Sequence, residues 1–138
     1  MKTLIEALKL YGEVYEFAPS QDKVLSLLPF WVIGYSAAAW EPQRLGNDMS
    51  YLLQVNALYF FKIRPGISEL EETNSTIREI MGKITSIDYF EDEAGHPYYL
   101  MEIRTSIDID TIRKYGLQDP HFRCLMFAFV FNGISPKP

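Results

Sequence analysis

Residues 51–64, YLLQVNALYFFKIR, constrain this chain more than any others. At every second position Tyr51, Leu53, Val55, Ala57, Tyr59, Phe61 and Ile63 are all apolar. The intervening Leu52, Gln54, Asn56, Leu58, Phe60, Lys62 and Arg64 mix polar with apolar groups. A β-strand sends alternate side chains to opposite sides, so the pattern predicts a strand with one wholly buried face. At about 3.3 Å per residue it would span roughly 45 Å, well beyond the usual strand of about 5–6 residues. A strand of that length either crosses the middle of a sheet or projects beyond it.

The segments around it supply the other elements. Leu4, Ile5, Leu8 and Tyr11 lie on one helical face, with Thr3 and Glu6 spaced as a capping box and Gly12 as the stop. Residues 13–17 alternate as a short strand, and 21–28 form one helical turn or a loop. Pro29 suits only the start or edge of a strand, and the Phe30-Trp31-Val32-Ile33 run after it predicts a strand buried on both faces. Gly34 marks a bulge or a close backbone approach. Residues 37–50 hold Pro42, Gly46, Asn47 and Asp48 without periodicity, which predicts a long surface loop. Loops of that length are uncommon unless they work, and this one carries Trp40 and Arg44, residue types that anchor interfaces. Trp40 folded back on the sheet edge is the alternative.

After residues 65–66 break the long strand, Ser68 and Glu71 have capping-box spacing. They open a helix with Leu70, Ile77, Ile80, Met81 and Ile84 at helical intervals, and Glu69, Glu71 and Glu72 meet the positive end of its dipole. Residues 84–90 and 98–105 predict a hairpin around the acidic turn Glu91-Asp92-Glu93-Ala94-Gly95. Asp108 or Asp110 caps a short helix through Ile112 and Tyr115. Residues 122–131 form an intensely apolar last strand, and 133–138 a flexible tail. The order predicts a single α+β domain over 1–138, with a mainly antiparallel sheet and helices packed on one face.

With 138 residues, the chain is long enough to bury roughly two thirds of its unfolded surface. A net charge of −5, with basic residues scattered, argues against sequence-specific nucleic-acid binding. No segment has the roughly 20 apolar residues of a membrane span, and the N-terminal residues lack a signal peptide's apolar region. A soluble protein made in the cytoplasm is the expectation. Cys124 is the only cysteine, which excludes a disulfide within the chain and fits a reducing compartment.

Catalytic patterns are missing. The 91–93 carboxylates lack the ligand spacing of a calcium loop, and Asp108 with Asp110 is explained by capping. His96 and His121 are the only imidazoles; His121 lies three residues from Cys124, with no second pair to complete a zinc site. Cys124 sits in an apolar strand without a base, there is no G-x-S-x-G elbow, and the glycines never cluster into a phosphate-cradling loop. No catalytic residue, metal or cofactor is therefore expected.

As a pattern, nearly the whole chain resembles the tail terminator (tail completion) proteins of tailed bacteriophages. An amphipathic N-terminal helix leads into Val14-Tyr15-Glu16-Phe17-Ala18-Pro19. Leu28-Pro29-Phe30-Trp31-Val32-Ile33-Gly34 follows, then a loop, a long strand, a helix, a further β-segment and an apolar C-terminal strand, in that family's order. The short helix near 109–115 and the very apolar ending depart from its simpler members. The resemblance implies a non-catalytic virion protein that assembles as a homohexameric ring, caps the tail tube and joins it to the head. Its partners would be copies of itself, the tail tube protein and a head-completion or connector protein. A head-to-tail ring needs two different patches on each subunit; the 37–50 loop and the 91–95 turn are the segments freest to reach a neighbour. Trp40, Arg44, Glu91, Asp92 and Glu93 are the expected contact residues. Two other classes fit the composition: a small acidic immunity-type binding protein, and a small-molecule-binding α+β domain with a deep Tyr- and Trp-lined pocket.

Overall fold

A computed structural model describes every residue except 21, 46–47, 65, 67, 117–118 and 137–138, and the side chains of 35–45, 48–51, 115–116 and 134–136 also lie outside the description. Helix α1 (Lys2–Leu8) leads to strand β1 (Glu13–Tyr15), the single-turn helix α2 (Val24–Leu27) and two long strands, β2 (Phe30–Leu45) and β3 (Asp48–Lys62). Helix α3 (Glu69–Thr85), strands β4 (Phe90–Glu91) and β5 (Pro97–Ile107), helix α4 (Ile109–Gly116) and strand β6 (Phe122–Pro136) complete the chain. The described strands form one sheet in the order β1-β2-β3-β6-β5-β4. Only the β1–β2 pair is parallel. The chain adopts the expected α+β class with a mainly antiparallel sheet.

β3 lies inside the sheet, paired with β2 on one side and with β6 from Asp48–Pro136 to Lys62–Phe122 on the other. Its alternation maps onto the two faces. Leu53, Val55, Ala57, Tyr59, Phe61 and Ile63 join Trp31, Ile33, Leu125, Phe127, Phe129 and Phe131 in the main core. Helices α1 and α3 cover that face with Leu4, Ala7, Leu8, Ile80 and Ile84. Each fully buried aromatic or aliphatic side chain here contributes about 1.5–3 kcal/mol by leaving water. Trp31 lies against Tyr59 (ring centroids 4.3 Å apart) and Phe127 (5.6 Å), and Phe90 meets Phe131 edge-on at 4.9 Å. Tyr59 Oη donates to the carbonyl of Tyr11 (2.8 Å), and Tyr11 Oη donates to that of Glu79 (3.2 Å), fastening the end of the first helical segment to α3. Burial, helped by the Glu79 charge, pushes the Tyr59 phenol up to about 12.

Among the described residues, the opposite face is covered at one end only. There Val24 of α2 packs with Phe30, Phe60, Phe122 and Cys124, and Ile112 of α4 closes over them. The Phe30 and Phe60 rings stack at 4.7 Å. The expectation of helices on one face therefore holds for α1 and α3, while α2 and α4 lie on the other.

Several local expectations are corrected. Residues 37–50 do not form a surface loop: their described backbone continues β2 and begins β3, paired from Glu41–Leu52 to Leu45–Asp48. The periodicity is lost because the register shifts between Ser36 and Glu41, so that β2 runs residues 37–40 past Leu53 alone. The irregularity is not at Gly34, where an added Cβ would meet nothing within 4 Å. Close approach occurs at Gly12 instead, where a Cβ would lie 2.6 Å from the carbonyl oxygen of Pro29. The first hairpin strand shrinks to Phe90–Glu91, because α3 keeps Ile84 as a buried helical residue. The tail read at 133–138 is strand as far as Pro136.

Neither capping box forms. Met1 and Ser68 occupy the two N-cap positions without side-chain bonds. Thr3 lies inside α1 and accepts from the Glu91 N–H (2.9 Å), tying that helix to β4. Leu70, expected on the apolar stripe of α3, is 70% exposed. Asp108 does cap α4, accepting from Thr111 N–H (3.1 Å) and Thr111 Oγ1 (2.8 Å).

Candidate interaction surface

The register assembles one row across the sheet: Phe90 opposite Tyr98, Tyr98 opposite Gly133, Gly133 opposite Tyr51, Tyr51 opposite Pro42. Gly133 is required there, since a Cβ would lie 2.5 Å from the Tyr98 ring. Past this row β2, β3 and β6 continue to Leu45, Asp48 and Pro136, roughly 10 Å farther at the usual strand rise. On the far side of the sheet, the 92–96 turn leaves the same row between β4 and β5. The five residues expected at contacts therefore share one end of the molecule. Trp40 and Arg44 belong to β2, and Glu91–Glu93 lie four strand positions away, about 19 Å at the usual spacing. The side chains of Trp40 and Arg44 lie outside the described residues.

The acidic turn is internally organised. Asp92 Oδ1 accepts from the N–H groups of Ala94 (3.0 Å) and His96 (2.9 Å), and Oδ2 lies 3.1 Å from His96 Nδ1. Desolvation works against the Asp92 charge, but the hydrogen bonds and charge of His96, with the Ala94 N–H, outweigh it and hold the carboxyl below its usual range. Gly95, at φ +83°, closes the turn in a conformation that favours glycine. Asp92 therefore builds the turn that presents its neighbours. Glu91 uses its backbone on Thr3, and the exposed Glu93 lies 3.3 Å from the amino group of Met1.

A second feature went unread in the sequence: the uncovered part of the sheet face opposite α1 and α3. A groove of about 870 Å³ lies along it, with Val32, Gln54, Asn56, Arg104, Ser106 and Met126 among its lining residues. Gln54 Nε2 donates to Asn56 Oδ1 (2.9 Å), and Met126 is 43% exposed. The polar members of β3's mixed face were the signal. Its described lining has neither the Tyr nor the Trp expected of a deep small-molecule pocket. A third feature is β5, where Tyr99, Met101 and Ile107 are exposed.

Among the described residues, chemistry-bearing side chains do not converge. No group of three or more His, Cys, Asp or Glu among the described residues is placed to hold a metal ion. Cys124 is fully buried; that burial, with the nearby Asp108 charge, pushes its thiol up to about 12, so it stays protonated near neutrality. His121 donates its backbone N–H to Asp119 (2.9 Å), and Asp119 is held below the usual carboxylate range chiefly by Lys62, 2.9 Å away. These contacts brace the β3–β6 end of the sheet. What the arrangement offers is surface: strand ends, an acidic turn and an open sheet face. No protein-family model matches this chain, and no curated protein matches it.

Proposed function

We propose that this chain is a structural subunit of a ring that ends a phage tail tube and joins it to the head, as its resemblance to tail terminator proteins implies. The observation that supports this reading is the sheet row that brings Trp40, Arg44 and the 91–93 carboxylates to one end of the molecule on opposite sides of the sheet. A head-to-tail contact needs two unlike, complementary patches on one subunit. An aromatic and a cation from β2 of one copy, meeting the acidic turn of the next, satisfy that requirement by charge.

Light scattering across a concentration series tests it. A mass rising reversibly toward six subunits is expected, with Trp40→Ala and Arg44→Ala lowering it while the monomer's circular dichroism is unchanged. Arg44→Glu should weaken assembly, and adding Glu93→Arg should restore part of it. A mass that never exceeds one or two subunits at any concentration would sink the self-closing ring.

A further inference from the structure

We propose that the outer edge of β5 is a self-docking surface, on which a second copy adds its own β5 antiparallel about a two-fold axis at Thr105. β4 pairs with β5 only at Phe90–Tyr98 and Glu91–Pro97, so beyond Tyr98 this edge has no neighbouring strand among the described residues. The bonding alternation identifies the free groups. Asp108 N–H donates to the carbonyl of Cys124 (3.0 Å). Bonded rows alternate in an antiparallel ladder, so Ser106, Arg104 and Glu102 bond toward β6. Ile103, Thr105 and Ile107 then turn their N–H and C=O groups outward. The register shift between Leu100 and Glu102 bounds this regular stretch.

With the axis at Thr105, Ile103 faces Ile107 of the partner subunit, Thr105 faces Thr105 of the partner subunit, and Ile107 faces Ile103 of the partner subunit. Three bonded rows of two hydrogen bonds each give about six backbone bonds. The side chains specify a second copy rather than an arbitrary strand. Ile107 is 53% exposed. Beside Ile103 lies a cleft of about 360 Å³ between the C-terminal part of α3 and β5, walled by Met81, Thr85 and Ile87. The Ile103 row carries the partner subunit's Ile107 to the mouth of this cleft, and the two-fold makes the same contact a second time. A knob and a hole four residues apart on one edge complement each other only under that symmetry.

Two further details agree. Thr105, at the axis, carries a buried Oγ1 without a hydrogen-bond partner, and Thr–Thr pairs across strands can share a hydroxyl hydrogen bond. Edges are commonly protected by Lys, Pro or free charges. Here 99–107 holds no Lys or Pro, and Arg104 is bound to Glu102 through two contacts of 2.8 and 3.1 Å. Glu102 faces Asp108 of the partner subunit, but Arg104 neutralises the first and Thr111 engages the second.

This inference does not rest on the tail-ring reading, because a two-fold contact makes a dimer and a ring needs a head-to-tail one. Thr105→Cys in the full chain, under mild oxidation, tests the register. Opposed Cα atoms in a bonded row lie about 5.5 Å apart, within the disulfide range of about 4.4–6.8 Å. Cys124, buried and protonated, stays silent. A covalent dimer is expected for Thr105→Cys and none for Ile103→Cys, whose mates are offset by four residues, roughly 13 Å. Thr105→Pro, which removes an outward N–H, should break the two-fold contact and halve the mass of whatever assembly contains it in light scattering. Absence of cross-linking in folded Thr105→Cys, or equal cross-linking in Ile103→Cys, overturns the proposal. Hexamers without the cross-link would spare the ring and end the β5 dimer; a dimer ceiling with it would do the reverse.

Discussion

Phe127 and Met126 are neighbours on β6 that face opposite sides of the sheet, and replacing each by Ala measures what the two faces contribute. Phe127 is fully buried, with Trp31 at 5.6 Å and Phe129 stacked at 5.9 Å. Truncation removes its transfer free energy, leaves a cavity in the main core that the flanking rings fill only partly, and breaks two ring pairs. The expected loss is about 3–5 kcal/mol. With a urea m-value of about 2 kcal/mol/M, the midpoint falls by roughly 1.5–2.5 M. Met126, 43% exposed on the open face, should lose about 1 kcal/mol or less. Urea titrations followed by circular dichroism, with m compared between variants, give both numbers. Equal losses at the two positions would refute the assignment of one buried and one open face.

Two glycines should respond with opposite signs in the same assay. Gly12→Ala drives a Cβ to within 2.6–2.9 Å of the Pro29 carbonyl group and should cost about 1–3 kcal/mol; Gly82→Ala, in α3 with open space around it, should stabilise by about 0.5–1 kcal/mol. Asp108→Ala removes the cap of α4 and should cost about 1 kcal/mol, whereas Asp110→Ala should be close to neutral. The carboxyls of Glu69, Asp92 and Asp119 are all held below their usual range in the folded chain. Their stabilisation is therefore complete above the ordinary carboxylate range and disappears as pH falls through the lowered folded-state values. Urea midpoints at pH 6, 4 and 3 should drop accordingly, and the combined Glu69→Gln, Asp92→Asn and Asp119→Asn variant should show a flatter profile. An unchanged acid profile would remove these three groups from the explanation.

The long strand was legible because its alternation is a local property: Leu53 through Ile63 bury one face wherever the strand sits. The same holds for Leu4, Leu8, Ile80 and Ile84 on their helices, and for Phe127, Phe129 and Phe131. The 37–50 stretch reads as a loop because Pro42, Gly46 and Asn47 are turn residues, and because the shift between Ser36 and Glu41 destroys the period that identifies a strand. Ile84 suits both the helical stripe and the start of a hairpin strand, because a short apolar run at that junction has no period of its own. The candidate contact residues stand out in two separate turn-like segments; the common row that aligns Pro42 with Phe90 depends on which residues pair across five strands, and pairing is non-local.

The sequence by itself therefore determined the elements and their buried faces, since hydrophobic periodicity is written along the chain and burial follows from it. It also determined that chemistry-bearing residues are sparse, with one cysteine and two histidines. Tertiary structure alone decided the strand order and, among the described residues, the placing of α2 and α4 over only one end of the second face and the β5 edge left open beyond Tyr98. Those outcomes turn on contacts between residues as far apart as Thr3 and Glu91 or Glu69 and Arg123, whose geometry exists only once the sheet has closed around them.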